Sequence, residues 1–376
     1  MPAANNKGVM RLGRNGDRVK PPTPQKRRRG WFVRDLVILS IVAVALFVFL
    51  VQGLAFLRTR EMDRRLLVQI PLGAGFDEIA ATLEGAGLVH DMRRFRLAAQ
   101  ILDMDDKLQA GAYEFGPQYS ELELLLALSH GEVATRRVTI PEGYRIEQIA
   151  VLLEGAVGLD AEEFERLAND PEIVARFGFH APSLEGYLYP DTYRVELDMK
   201  ELDAIEMMTW ETRGIIERQS ARAESMGLSM HEVLTLASII EAEALFDRER
   251  PRISAVYHNR LSIGHRLEAD PTVRYAKGIY HRKLYYSDLR YESPYNTYRN
   301  SGLPPGPIGS PGASSIRAAL YPLEECDDFF FVANGDGTHT FSRTFTEHVQ
   351  ARERISAQRR SKPQDAEFPL DDSVVD

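Results

Sequence analysis

One cysteine, Cys326, stands in 376 residues. A lone thiol excludes an intrachain disulfide, and no CxxC pair exists for metal or redox chemistry. The nine histidines are as thinly spread. His258, His265, His281 and Asp270 match no metal-ligand spacing, so the expectation is no metal and no cofactor. Charge is missing altogether from residues 36–57, a predominantly apolar run of 22 residues between Asp35 and Arg58. At about 1.5 Å of rise per residue, such a helix spans a hydrocarbon core of roughly 30 Å. A cleaved signal peptide fits less well, because the leader is long and hydrophilic and no small-x-small cleavage site follows.

Residues 1–35 carry ten Lys or Arg against Asp17 and Asp35, a net charge of +8. The positive-inside rule sets this leader in the cytoplasm and the rest of the chain across the membrane. With −9 overall, the remainder carries −17. So acidic an ectodomain excludes nucleic acid as a partner and leaves the basic leader as a topology signal and a contact for anionic lipid.

The predicted organisation is α+β. It comprises a disordered leader at 1–35, a transmembrane helix at 36–57, a small module at 66–132, a larger domain at 138–351 and a disordered acidic tail at 361–376. An internal repeat joins the two folded parts. Ile70-Pro71-x-Gly73 leads to Ile79-Ala80 and Leu83-Glu84-Gly85-Ala86, and the same pattern returns seventy residues on from Ile140 to Ala156. Nine of seventeen aligned positions are identical. Each copy reads as a strand, a turn and an amphipathic helix. Within the small module the order is strand, helix, helix, strand and a closing helix, the arrangement of sugar-binding modules of the LysM type.

A capping box, Ser229 with Glu232, opens a predicted helix over residues 231–245 (HEVLTLASIIEAEAL). On helical spacing Glu241 shares a stripe with Leu234, Ala237, Ser238, Ala244 and Leu245, mostly small side chains that leave room beside the acid. A carboxyl desolvated there holds its proton to higher pH, which suits a general acid. The competing expectation is an acid reaching solvent or an arginine at the rim. Glu243, about 200° around the helix, shares its stripe with Leu236, Ile239, Ile240 and Phe246 and reads as structural, reaching an arginine near the helix end.

Other segments are richer in polar and aromatic residues than a plain scaffold needs. In LEGYLYPDTY, Glu185, Tyr189 and Asp191 suit either cleft lining or packing. In LEADPTVRYAK, Asp270 reads as a helix N-cap before Pro271, with sugar hydroxyls within reach of it and of Thr272. In SPYNTYRNSGLPPGPIGSP, Asn296 and Thr297, between Tyr295 and Tyr298, offer amide, hydroxyl and aromatic surface to a sugar, or a rigid turn after Pro294. VANGDGTHTFS predicts a β-hairpin.

Taken together, SIIEAEA, EADPTVRYA, SPYNTYRNSGLPPGPIGSPG and the VANGDGTHTFS hairpin resemble the YceG-like (MltG) family of membrane-anchored endolytic murein lytic transglycosylases. The resemblance runs from the membrane span to about His348. It implies cleavage within peptidoglycan glycan strands at MurNAc–GlcNAc bonds, leaving 1,6-anhydro-MurNAc ends, and a link to peptidoglycan synthases. It implies a catalytic glutamate at the first acid of the ExE pair, Glu241. A lytic transglycosylase needs one carboxyl group as acid and then base. A hydrolytic muramidase would add Asp270 as a second carboxylate, and a non-catalytic glycan-binding scaffold would need neither.

Overall fold

The computed structural model describes residues 28–56, 65–116, 119–280 and 282–361. Most of the leader and nearly all of the acidic tail lie outside the described residues. Helix α1 (Arg28–Phe56) continues the charge-free run two turns toward the N-terminus. From Leu36 to Val51 its large apolar side chains lie open, with no protein packed over them. By length and composition it is able to cross a membrane.

The first folded unit comprises β1 (Leu66–Ile70), α2 (Phe76–Gly85), α3 (Met92–Ile101), β2 (Gly111–Phe115) and α4 (Glu121–His130). β1 and β2 pair antiparallel, with Leu66 opposite Phe115 and Ile70 opposite Gly111. α3 begins where the Asp91 carboxylate accepts the amides of Arg93 and Arg94. α4 begins at a capping box in which Ser120 and Glu123 bond reciprocally. Ile79, Leu83, Phe95, Tyr113 and Leu125 form a core of their own.

The larger unit begins with β3 (Thr135–Thr139) and α5 (Ile146–Val157), the second copy of the repeat. Gly73 and Gly143 make the same left-handed turn at φ +80° and +78°, a conformation that glycine adopts without penalty. Ile79 and Leu83 in one copy and Ile149 and Leu153 in the other are buried at equivalent positions. Next come α6 (Ala161–Ala168), α7 (Pro171–Arg176), β4 (Thr192–Glu196) and α8 (Glu201–Ser225). After them stand α9 (Met230–Glu243), α10 (Arg250–Ser262), α11 (Asp270–Ala276) and α12 (Ala313–Leu320). The hairpin β5 (Phe330–Ala333) and β6 (His339–Ser342) and the helix α13 (Phe345–Ser361) complete the unit. β3 pairs antiparallel with β4, and β5 with β6.

Ala134 bridges the two small sheets, donating its amide to Ala112 and accepting that of Leu197. The central element is α9, whose nine residues Met230 and Val233–Ile240 are buried against α8, α10, α11 and α12. It ends at Glu243, two residues earlier than its spacing predicts. Ala244 leaves the helix at φ −89°, ψ 117°, and Leu245 is exposed.

Candidate active site

Ser229 and Glu232 cap the start of α9 as its sequence predicts, and the helix delivers two acids at its other end. Their surroundings differ. Glu241 is locked in a polar joint: Arg250 Nη1 donates to its Oε1 at 2.9 Å, and the Gly312 amide donates to its Oε2 at 2.9 Å. Both side chains of the ion pair are only 7% exposed. Arg250 also bonds Asp247 and Ser315. The small stripe of Leu234, Ala237 and Ser238 does not leave space for a ligand. It lets α12 and the Pro307–Ile308 segment approach, and Ser238 Oγ accepts the Ile308 amide at 3.0 Å. Glu241 is thus desolvated, as its stripe suggests, and paired with an arginine, as the competing expectation has it: this acid ties α9 to α10 and α12.

Glu243, rather than Glu241, lines cavities. Two hollows, of about 580 and 370 Å³, both have Glu243 and Asp270 in their walls. Glu243 Oε1 accepts the Tyr257 hydroxyl at 3.1 Å. Burial pushes its carboxyl up to about 7, and the Asp270 charge adds to this, while the Tyr257 bond and Arg274 pull the other way. The arginine expected at Glu243 is bonded to Glu241 instead.

Asp270 is the first residue of α11, not its cap; Ala269 holds the cap position. Its carboxylate accepts the Tyr298 hydroxyl at 2.7 Å. Thr272, Asn296 and Thr297, expected at a sugar, are buried braces. Thr297 Oγ1 accepts the Ala269 amide and bonds Thr272 Oγ1, and the Asn296 amide group donates to the Leu289 and Tyr291 carbonyls. They hold the start of α11 against the 293–300 loop and so fix Asp270 and Tyr298. Tyr295 packs against Tyr275, the ring centroids 4.8 Å apart and the rings tilted by 48°. Glu185, buried, accepts the Tyr275 hydroxyl at 3.3 Å. Tyr189 is half-buried, its carbonyl accepting the Tyr193 hydroxyl, and Asp191 is exposed, accepting the Thr192 amide. None of these last four lines either hollow.

The residues that sequence reasoning missed line the larger hollow. Tyr285 and Tyr286 are 62% and 79% exposed there, with Tyr298, Phe331 and His339 beside them. His339 is fixed by Glu249, which accepts its Nδ1 at 2.9 Å and its amide at 3.2 Å. Among the described residues no three metal-binding side chains gather as an ion would need.

Residues 68–354 match the model of the YceG-like family. The chain belongs to that family. Among its relatives, the endolytic murein transglycosylase of Bacillus subtilis (strain 168) is 32% identical over 328 residues, 82% of this chain and 91% of that protein. The endolytic murein transglycosylase of Streptococcus pneumoniae serotype 2 (strain D39) is 30% identical over 76% of this chain and 58% of its own length. A crystal structure of a YceG-like protein from Listeria monocytogenes, 35% identical, superposes with a TM-score of 0.54 over 77% of this chain and 99% of that one. The YceG-like region thus contains nearly all of both folded units, the smaller hollow, all but Arg359 of the larger one and the two acids of α9.

Proposed function

We propose that this YceG-like protein is a membrane-anchored endolytic lytic transglycosylase with Glu243, rather than Glu241, as its acid and base. The observation that carries the assignment is Glu243 at the junction of two hollows, its carboxyl pushed up to about 7. A strand lying across both hollows presents an internal glycosidic bond to that carboxyl, as endolytic cleavage requires. Protonated Glu243 gives its proton to the glycosidic oxygen as the C1–O bond breaks. The resulting carboxylate takes the proton of the MurNAc C6 hydroxyl as that oxygen bonds C1, closing the 1,6-anhydro ring and restoring the acid. Water is neither consumed nor activated. Tyr257 steadies the carboxylate between the steps, and the exposed tyrosines offer flat faces to the sugar rings.

The hydrolytic reading keeps one supporting observation, Asp270 in the walls of the same hollows. Digestion of purified sacculi with the full-length protein, followed by mass analysis, decides between the two. The expected fragments are lighter by one water than reducing ends. Reducing-end fragments would establish a muramidase, and no release with retained glycan binding would establish a scaffold.

The apolar α1 and the basic leader support a single-pass inner-membrane protein with residues 1–35 in the cytoplasm, 36–57 in the bilayer and 138–351 as an extracytoplasmic catalytic domain. A reporter fused after Asp376 that is active only in the cytoplasm would overturn this orientation. The order and separate core of residues 66–132 support a LysM-like glycan-binding module. The family resemblance supports action on nascent strands beside peptidoglycan synthases, terminating their elongation.

A further inference from the structure

The two hollows that meet at Glu243 differ in chemistry. Four tyrosines, with Arg260, Arg352 and Arg359, line the larger one, whereas the smaller sets Arg145 and Arg274, with Gln148, Tyr280 and Ile308, beside Glu243 and Asp270. Arg145 precedes α5, and its guanidinium is held 4.8 Å from the Tyr275 ring and 4.5 Å from the Tyr280 ring. Arg274 stands one helical turn beyond Asp270 and donates Nη1 to the Arg282 carbonyl at 2.9 Å. Among the described residues the ion pairs around this region are Arg250–Glu241, Lys277–Asp288 and Arg282–Asp288, and neither Arg145 nor Arg274 joins one. Arg145 acts on the buried Glu185, whose carboxyl is pushed up to about 8 chiefly by burial, and Glu147 bonds the Tyr280 hydroxyl on the other ring that Arg145 touches.

We propose that this hollow is a subsite for a carboxylate of the stem peptide, a reading that rests on the glycan-cleaving function above. The glycan backbone is uncharged, and the lactyl arm on C3 of each MurNAc sets its peptide beside the bond to be cut. In a cavity beside Glu243, two arginines that join no close ion pair can receive that negative group, since a guanidinium fork matches a carboxylate in charge and geometry. The tyrosine-lined hollow on the other side takes bare sugar rings. Strands whose peptides are charged are thereby drawn into register with the acid.

The test uses uncrosslinked, peptide-bearing glycan strands and the same strands with their carboxylates converted to amides by carbodiimide and ammonia. Full-length protein in detergent is assayed on both. The expected kcat/KM is about tenfold or more higher for the charged strands, with the difference in KM, the scale of a hydrogen bond to a charged group. In Arg145→Gln and in Arg274→Gln the ratio of charged to amidated turnover falls toward one, and Arg145→Lys retains part of it. Equal turnover of both strands by the unaltered protein overturns the subsite while leaving the cleavage function intact. Equal proportional losses on both strands in the variants overturn it too. No turnover of any strand overturns the cleavage function itself and the subsite with it.

Discussion

Glu243→Gln keeps the size and hydrogen-bonding capacity of the side chain but has no acidic proton to give. Proton transfer by a positioned group contributes about 10²–10⁴-fold, and one group serves both steps here, so a loss near the upper end is expected in release of anhydro fragments. The same change at Glu241 acts on stability instead. Removing one charge of a buried ion pair costs up to about 3–5 kcal/mol, and because Arg250 keeps Asp247 as a partner the loss in Glu241→Gln is expected toward the lower end. Chemical unfolding separates the two: Glu241→Gln is markedly less stable, and Glu243→Gln folds normally and is inactive. A stable Glu241→Gln protein without activity, next to an active Glu243→Gln protein, would return the catalytic role to Glu241. The pH dependence follows from the raised carboxyl of Glu243. Activity that begins with a protonated acid declines as pH rises through about 7, and kcat/KM should show that descending limb. For stability, the folded state binds this proton more tightly than the unfolded chain. The wild type therefore loses stability between the ordinary carboxylate range and about pH 7, then levels off. Glu243→Gln does not titrate, so its stability relative to wild type rises across that window. Denaturant melts at pH 5 and pH 8 check the sign.

At the scale of elements, the cleft depends on a few close backbone approaches. Gly186 sits at φ +77°, and a Cβ there would meet Pro307 Cγ at 2.6 Å and the Gly309 carbonyl at 3.1 Å. The neighbouring Ile308 is both a wall of the smaller hollow and the donor to Ser238. Gly186→Ala is expected to cost about 1–2 kcal/mol for the left-handed backbone alone, with displacement of this wall added, and to lower kcat/KM. Gly302 has φ +82° with open space around its Cβ position. Gly302→Ala should show the backbone cost without the loss of activity, and equal activity losses in the two would remove the wall from the explanation. These contacts also mark the limit of what the sequence reveals. The capping box at Ser229, the repeated strand–turn–helix and the hairpin around Asn334–Gly337 rest on local chemistry and are legible from neighbouring residues. The division of labour between Glu241 and Glu243 is not. It is set by Arg250 in the next helix, by Gly312, 71 residues away, and by the early end of α9, which releases Leu245 and Phe246 from the stripes assigned to them. Small residues on α9 look alike whether a ligand or another helix lies over them, and here α12 does. Thr272, Asn296 and Thr297 have the groups that bind sugars, yet the two threonines satisfy each other across the start of α11 and Asn296 is satisfied by the backbone of its own loop.

Across the whole molecule, two separate cores are joined by short polar contacts and not by a long linker. Besides the Ala134 bridge, Gln69 Nε2 donates to Asp198 at 3.1 Å and Arg136 Nη1 to Glu114 at 3.1 Å. The first unit is thus held at a defined place beside β3 and β4, on the side of the chain that leads back to α1. On the glycan-binding role proposed for it, a module fixed there adds a second contact to any strand long enough to reach both it and the cleft. Two linked contacts bind far more tightly than either alone, provided one ligand spans them. A short soluble glycan fills the cleft only and gains nothing from the module. Deleting residues 66–132 should therefore depress cleavage of intact sacculi several-fold more than cleavage of short glycans. The core around α9 shares no buried residue with the first unit, so the shortened protein should keep its fold, and circular dichroism checks that it does. A folded deletion that loses equally on both substrates would show that the first unit supports the cleft rather than the substrate, and would end its assignment as a glycan-binding module.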